Sequence, residues 1–109
     1  MTHAVDVMQG TLDLLILKAL SFEPMHGWGI GDRIRQLSRD VFRIGQGSLY
    51  PALHRLELAG LLESEWKLSD SNRQAKFYKL TSKGRKHLTA ESANWIRLTA
   101  AIARVMETA

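Results

Sequence analysis

The chain has 109 residues, 45% hydrophobic and 24% charged, a globular balance that argues against a disordered tail or a fibrous repeat and leaves room for one modest core. Fifteen Lys and Arg against eleven Asp and Glu leave a formal charge of +4, too small as a total to name a partner. Without cysteine there is no disulfide framework and no thiolate metal site, which permits a reducing compartment.

The first eight residues lack the basic start and apolar run of a signal peptide. The most apolar stretch, Leu12 to Phe22, is interrupted by Asp13 and Lys18 and is too short to span a bilayer. A cytoplasmic protein with no membrane segment is the expectation. From Gly10 to Ser21 the residues Leu12, Leu14, Leu15, Ile16, Leu17, Ala19 and Leu20 crowd nearly every helical face, the pattern of a buried central helix. Pro24 ends it, because the residue before a proline is pushed out of helical geometry.

A second helix follows, with Ile30, Ile34 and Leu37 as its inner stripe and Gly29 and Gly31 weakening its first turn. Ser38 to Gly47 is turn-like and carries Arg39 and Arg43. The third helix is short, with Ser48 as its expected N-cap and Gly60 as its left-handed stop. With that cap Pro51 falls in the first turn, where its missing N–H costs nothing. Leu49, Leu53 and Leu56 form the inner stripe; Pro51, His54, Arg55 and Leu58 turn outward, with Ser48 and Tyr50 on the flanks.

The period then changes from helix to strand. Leu62, Ser64, Trp66 and Leu68 alternate with Glu63, Glu65 and Lys67, Ser69 to Asn72 is a turn cluster, and Ala75 to Leu80 makes the return strand of an antiparallel hairpin. Thr81 is a natural N-cap for a last helix running to about Glu107, roughly 39 Å long. Leu88, Trp95 and Ile102 recur every seven residues, with Leu98 and Val105 between them and Glu91 at one seam position, a coiled-coil spacing that needs a partner. The simplest partner is the same helix of a second chain.

Helix, helix, turn, helix and hairpin is the layout of a winged helix-turn-helix. The expected fold is mainly α with a small β-hairpin: a winged helix-turn-helix over residues 1–81 and a long C-terminal dimerisation helix over residues 82–109. The charge distribution suits nucleic acid. Arg73, Lys76, Lys79, Lys83, Arg85 and Lys86 fall in one stretch without an acid, and Arg33, Arg35, Arg39 and Arg43 in another with Asp40 alone. The remainder is net acidic. Solvated faces of amphipathic elements would give the same pattern, so charge by itself leaves both readings open.

His3, His26, His54 and His87 lack metal-ligand spacing, and His26, just after the break at Pro24, reads as structural. Gly27, Gly29 and Gly31 follow no strand pattern and precede no Lys-Ser/Thr pair, so they make no phosphate loop. No nucleophile, base and orienting group assemble from the motifs. The expectation is a protein that is not an enzyme and uses neither cofactor nor metal.

Four motifs then carry a resemblance. Gly10-Thr11-Leu12-Asp13-Leu14-Leu15-Ile16-Leu17 resembles the opening of the PadR family of bacterial transcriptional regulators. Pro24-Met25-His26-Gly27-Trp28-Gly29-Ile30 continues it, and Gly47-Ser48-Leu49-Tyr50-Pro51-Ala52-Leu53-His54-Arg55-Leu56-Glu57 followed by Gly60-Leu61-Leu62 is its strongest part. Arg73, Lys76-Phe77-Tyr78 and Leu80-Thr81-Ser82-Lys83-Gly84 close it.

The resemblance implies a dimeric winged-helix protein, usually a repressor, whose third helix enters the major groove of double-stranded DNA at a palindromic operator. On that basis Ser48 and Tyr50 would hold phosphates, His54 and Arg55 would lie nearest base edges, and Arg73 and Lys76 would reach backbone or minor groove. Leu88, Leu98, Ile102 and Val105 would dimerise. Trp95 would be dimer core or, as in small family members that sense planar hydrophobic effectors, a stacking platform. The chain departs from the family where Gln74 and Ala75 separate Arg73 from Lys76, and where Trp28 and Gly29 follow the His-Gly pair. The alternatives are a winged-helix module for protein contacts without DNA binding and an RNA binder, the latter disfavoured by the absence of an aromatic sheet platform.

Overall fold

The crowded apolar faces of the first helix are accounted for by neighbours on several sides. The computed structural model describes residues 9–108; the signal-peptide reading of the first eight residues, and His3 with it, lies outside them. The elements in order are α1 (Gln9–Leu20), β1 (Met25–His26), α2 (Gly27–Leu37), α3 (Gln46–Leu58), β2 (Leu62–Leu68), β3 (Gln74–Leu80) and α4 (Ser82–Met106). Helix α1 touches α2, α3, α4 and β3, and its Leu12, Ile16, Leu17, Ala19 and Leu20 are buried. Each fully buried Leu or Ile contributes about 1.5–3 kcal/mol. The architecture is mainly helical with a small antiparallel sheet, a winged helix-turn-helix followed by a long helix.

The sheet has three strands in the order β1-β3-β2. Leu62 pairs with Leu80 and Leu68 with Gln74 along the hairpin, while Met25 pairs with Tyr78 and His26 with Phe77 on the other side of β3. Strand β1 was not foreseen, since two residues carry no readable period. It forms because Met25 is buried against the core and the chain must pass beside β3 to enter α2. His26 closes that entry: its Nδ1 accepts the Gly29 N–H at 3.1 Å as the N-cap of α2, and its ring meets Phe77 edge-on at 5.2 Å.

The structure differs from the sequence pattern at three places. Ile30 and Ile34 are buried, but Leu37 ends α2 at 57% exposure, past the edge of the core. In β2 the alternation points inward only at Leu62 and Ser64; Trp66 and Leu68 are exposed because the hairpin projects beyond the helices it would otherwise cover. Ser48 is not the cap of α3, which begins three residues earlier than that cap implies, at Gln46 with Gly45 as N-cap. Ile44 and Leu49 occupy the positions of a hydrophobic staple and pack into the same core, which sets the earlier start.

The end of α3 and the start of α4 are clasped together. Gly60, at φ 79°, ends α3 with Gly60 N–H bonded to the Glu57 carbonyl and Leu61 N–H to the Leu56 carbonyl, a Schellman closure. The three carbonyls that follow are taken up by α4: Lys83 Nζ donates to Ala59 at 2.8 Å, Thr81 Oγ1 to Gly60 at 2.6 Å, and Thr81 N–H to Leu61 at 3.1 Å. Thr81 Oγ1 also accepts the Gly84 N–H at 3.0 Å, the N-cap expected for α4. Buried Gly84 lies so close to the Leu61 carbonyl that a Cβ would fall inside its van der Waals shell. Gly84→Ala should therefore lower the unfolding free energy by ~3 kcal/mol in chemical denaturation. Gly10→Ala, where an added Cβ meets nothing within 4 Å, should not destabilise.

Candidate nucleic-acid interface

Helix α3 buries Leu49, Ala52, Leu53 and Leu56 and turns Gln46, Gly47, Pro51, His54 and Leu58 to solvent. Its first turn lacks a side-chain cap and carries no acidic residue; the Gly45 carbonyl accepts from both Ser48 N–H and Leu49 N–H. The free N–H groups of this exposed turn favour an anion. Because α3 starts at Gln46, Pro51 stands past the first turn, contrary to the expectation, and denies the Gly47 carbonyl its usual i+4 donor. Gly47 is exposed, so water can serve that carbonyl.

The residues expected to read DNA divide into free and tethered groups. Ser48 and His54 are exposed on α3. Tyr50 is 43% exposed and lays its ring over Gly27, whose missing Cβ would come within 2.7 Å of it. Arg55 is half-buried, with Nη2 donating to Asp13 of α1 at 2.6 Å. Arg73 stands exposed where the hairpin turn ends, the Ser69 N–H bonding its carbonyl at 2.8 Å, and it makes no ion pair with a described residue. Lys76 reaches back to Glu57 of α3 at 3.3 Å.

Several cations of the two basic stretches are already engaged within the fold. Lys79 pairs with Glu63, Lys83 caps α3, Arg33 pairs with Glu23, and Arg35 holds both Asp32 and Asp40. The bonds to Asp32 first, and then to Asp40, raise the Arg35 pKa. Arg39, Arg43, Arg73, Arg85 and Lys86 are exposed and make no ion pair among the described residues. Arg43 and Gln46 line one groove at the start of α3.

The wing is tied to α3 by one polar cluster. Glu57 accepts a 2.5 Å hydrogen bond from Ser64 of β2 and pairs with Lys76 of β3. The Ser64 bond, and after it Lys76, outweigh burial and hold the Glu57 carboxyl below its usual range. Burial pushes the Tyr78 phenol above its usual value. Facing pairs in the hairpin register put Ser64 with Tyr78, Trp66 with Lys76 and Leu68 with Gln74 on one side of the ribbon. Between that side, α3 and the start of α2 lies an open cleft of about 880 Å³, lined by Trp28, Tyr50, Trp66, Arg73, Lys76 and Tyr78 among others.

The departure at Trp28 thus leaves the core untouched: the ring is 63% exposed and belongs to this cleft. Gly29 supplies the N–H that His26 caps. Sequence reasoning passed over Gln46, Asp13, Trp28 and Trp66 as interface residues. The Gly45-Gln46-Gly47 run hid the first of these by reading as a turn, and only the fold brings Asp13 beside α3 and Trp28 beside the hairpin strand that carries Trp66.

On α4, Leu88 is partly buried against the core of its own chain. Trp95, Leu98, Ile102 and Val105 are exposed, as are Ile96 and Met106, which the heptad reading did not single out. Among the described residues no helix is long and apolar enough to cross a membrane, and no group of three His, Cys, Asp or Glu comes together as a metal site would need.

A depressed carboxyl pKa stabilises the fold above its unfolded value and loses that contribution as pH falls through the folded one. The stability gap between the wild type and Glu57→Gln should be full at neutral pH, shrink below about pH 4.5 and close in stronger acid. Denaturant midpoints measured across that range check it.

Comparison with known proteins agrees with this geometry. Residues 16–90, more than half of the chain, match the family model described as the transcriptional regulator PadR-like family. A transcriptional regulator of Mycobacterium tuberculosis is 46% identical over 57 residues, which is 52% of each chain. The structure of a transcriptional regulator from Clostridium thermocellum superposes with a TM-score of 0.81 at 25% identity, covering 98% of this chain and 100% of that one. A PadR family transcriptional regulator from Eggerthella lenta gives 0.76 at 34% identity, over 93% of this chain and 86% of that one. With the winged helix, the exposed α3 and the matched residues in agreement, the chain belongs to the PadR-like family of transcriptional regulators and has the fold of a DNA-binding regulator.

Proposed function

We propose that the protein is a homodimeric repressor that occupies a roughly palindromic operator, with residues 1–81 as reader and residues 82–109 as dimerisation helix. The observation that carries the DNA contact is the outward face of α3, with its uncapped, acid-free first turn, together with a wing tied to the same helix whose Arg73 makes no ion pair among the described residues. Ser48, Tyr50 and the free N–H groups of that turn hold phosphates, and His54 and Arg55 approach base edges. Asp13 occupies one nitrogen of Arg55 and aims the rest of the guanidinium. Arg73 and Lys76 meet backbone or minor groove.

The exposed apolar stripe of α4 supports the dimer. Trp95, Leu98, Ile102 and Val105 meet the same helix of a second copy, while Leu88 roots the seam in its own chain. Reading helices about 34–36 Å apart, one turn of DNA, then span two half-sites. Trp95 and its symmetry mate form the dimer core and, in a regulated protein, the platform on which a planar hydrophobic effector stacks. Such an effector would change the half-site spacing through α4.

Selection of bound fragments from random and genomic DNA at physiological salt tests operator, symmetry and spacing together; no enrichment there, and no duplex binding at low salt, would overturn the reading. Arg73→Ala should weaken duplex binding and reduce the slope of log affinity against log salt by about 0.9, the signature of one lost phosphate contact. Trp95→Ala combined with Leu98→Ala should sediment as a folded monomer that no longer binds the selected operator. A stable dimer in that variant would show the α4 seam to be misassigned.

A further inference from the structure

The cleft between α3 and the wing contains two tryptophans that neither the core nor the reading face explains. Trp28 enters it from α2 at 63% exposure and Trp66 from β2 at 67%. The hydroxyl-bearing rings of Tyr50 and Tyr78 line it as well. Arg73 stands in the same lining without an ion partner among the described residues, and Asp70, in the hairpin turn, is its one acid. Among its polar neighbours the lining thus sets flat aromatic rings beside a cation that no described acid pairs, and it is open to solvent.

A B-form duplex separates its major and minor grooves by a single sugar–phosphate strand. A protein that sets a helix in one groove and a hairpin against the next has to accommodate that strand between them. We propose that this cleft is the seat of one strand of duplex DNA, with Trp28 and Trp66 packing against deoxyriboses while Arg73 pairs with a phosphate. The inference rests on the reading that α3 enters the major groove, and it assigns to the two tryptophans a role in affinity independent of base sequence. Deoxyribose is the apolar part of the backbone, and a tryptophan face covers it without competing for phosphate. The Glu57 pair with Lys76 and the Ser64 bond keep the wing at a set distance from α3, which holds the cleft open.

Apolar contacts release no counterions, so they differ from cation contacts in their response to salt. Trp66→Ala and, independently, Trp28→Ala should bind a duplex recovered by the selection above about tenfold more weakly, with the wild-type salt slope. Arg73→Ala should lower both affinity and slope. Hydroxyl-radical footprinting, which cuts at exposed deoxyriboses, should show sugars protected by the wild type that become cleavable with either tryptophan variant. Trp66→Phe should retain part of the protection. Thermal unfolding of each variant checks that it is folded; Trp66 lies on the projecting hairpin, so its removal leaves the core intact.

Wild-type affinity and protection in both alanine variants would overturn the inference while leaving the DNA reading in place. So would weakened binding with the reduced slope of Arg73→Ala, since the rings would then be acting on a cation. Failure of the wild-type protein to bind any duplex would instead overturn the reading on which the inference rests.

Discussion

The placement of α4 against the end of α3 depends on the contact between Gly84 and the Leu61 carbonyl. There the backbone of α4 lies directly on the chain leaving α3, closer than any side chain allows. Thr81 and Lys83 satisfy the carbonyls of Ala59, Gly60 and Leu61, which a helix end and a tight turn would otherwise leave without donors. Helices α3 and α4 therefore leave one junction at a set angle. In the dimer proposed above, a rotation of α4 would not be absorbed there by a flexible linker and would be passed to α3.

A second constraint acts across the face of α3. Asp13 draws Arg55 toward α1, and Glu57 draws Lys76 and Ser64 toward the helix, so α3 is braced on one side by the core helix and on the other by the wing. Partly exposed pairs of this kind contribute little to stability singly. Their effect is on geometry: they orient long side chains, while Arg39, Arg43 and Arg73 make no ion pair among the described residues.

Much of this was legible in the chain itself. The crowding of α1, the stripe Leu49-Leu53-Leu56, the change to strand period at Leu62, the stop at Gly60 and the cap at Thr81 all follow from local rules, and each stands as expected. The readings that changed lie at element ends and beyond the core. The start of α3 depended on Ile44 and Leu49 packing into the same core, which no rule for Ser48 as a cap could include. Trp66 and Leu68 keep their alternation, yet the hairpin outruns the body of the protein and both faces of its tip meet solvent.

The sequence by itself determined the order and type of the elements, because hydrophobic period, capping and turn chemistry act over a few residues. It also determined the family, through four motifs in order, with the matched region covering residues 16–90. Apart from the local pairs of Arg35 with Asp32 and Asp40, only the tertiary structure decided which of the fifteen cations are paired, since the partners lie far apart in the chain: 42 positions separate Asp13 from Arg55. It likewise decided that Trp28 and Trp66 line one cleft. Net charge is a property of composition, but the charge available to a partner remains only after the fold has matched its own acids with its own bases.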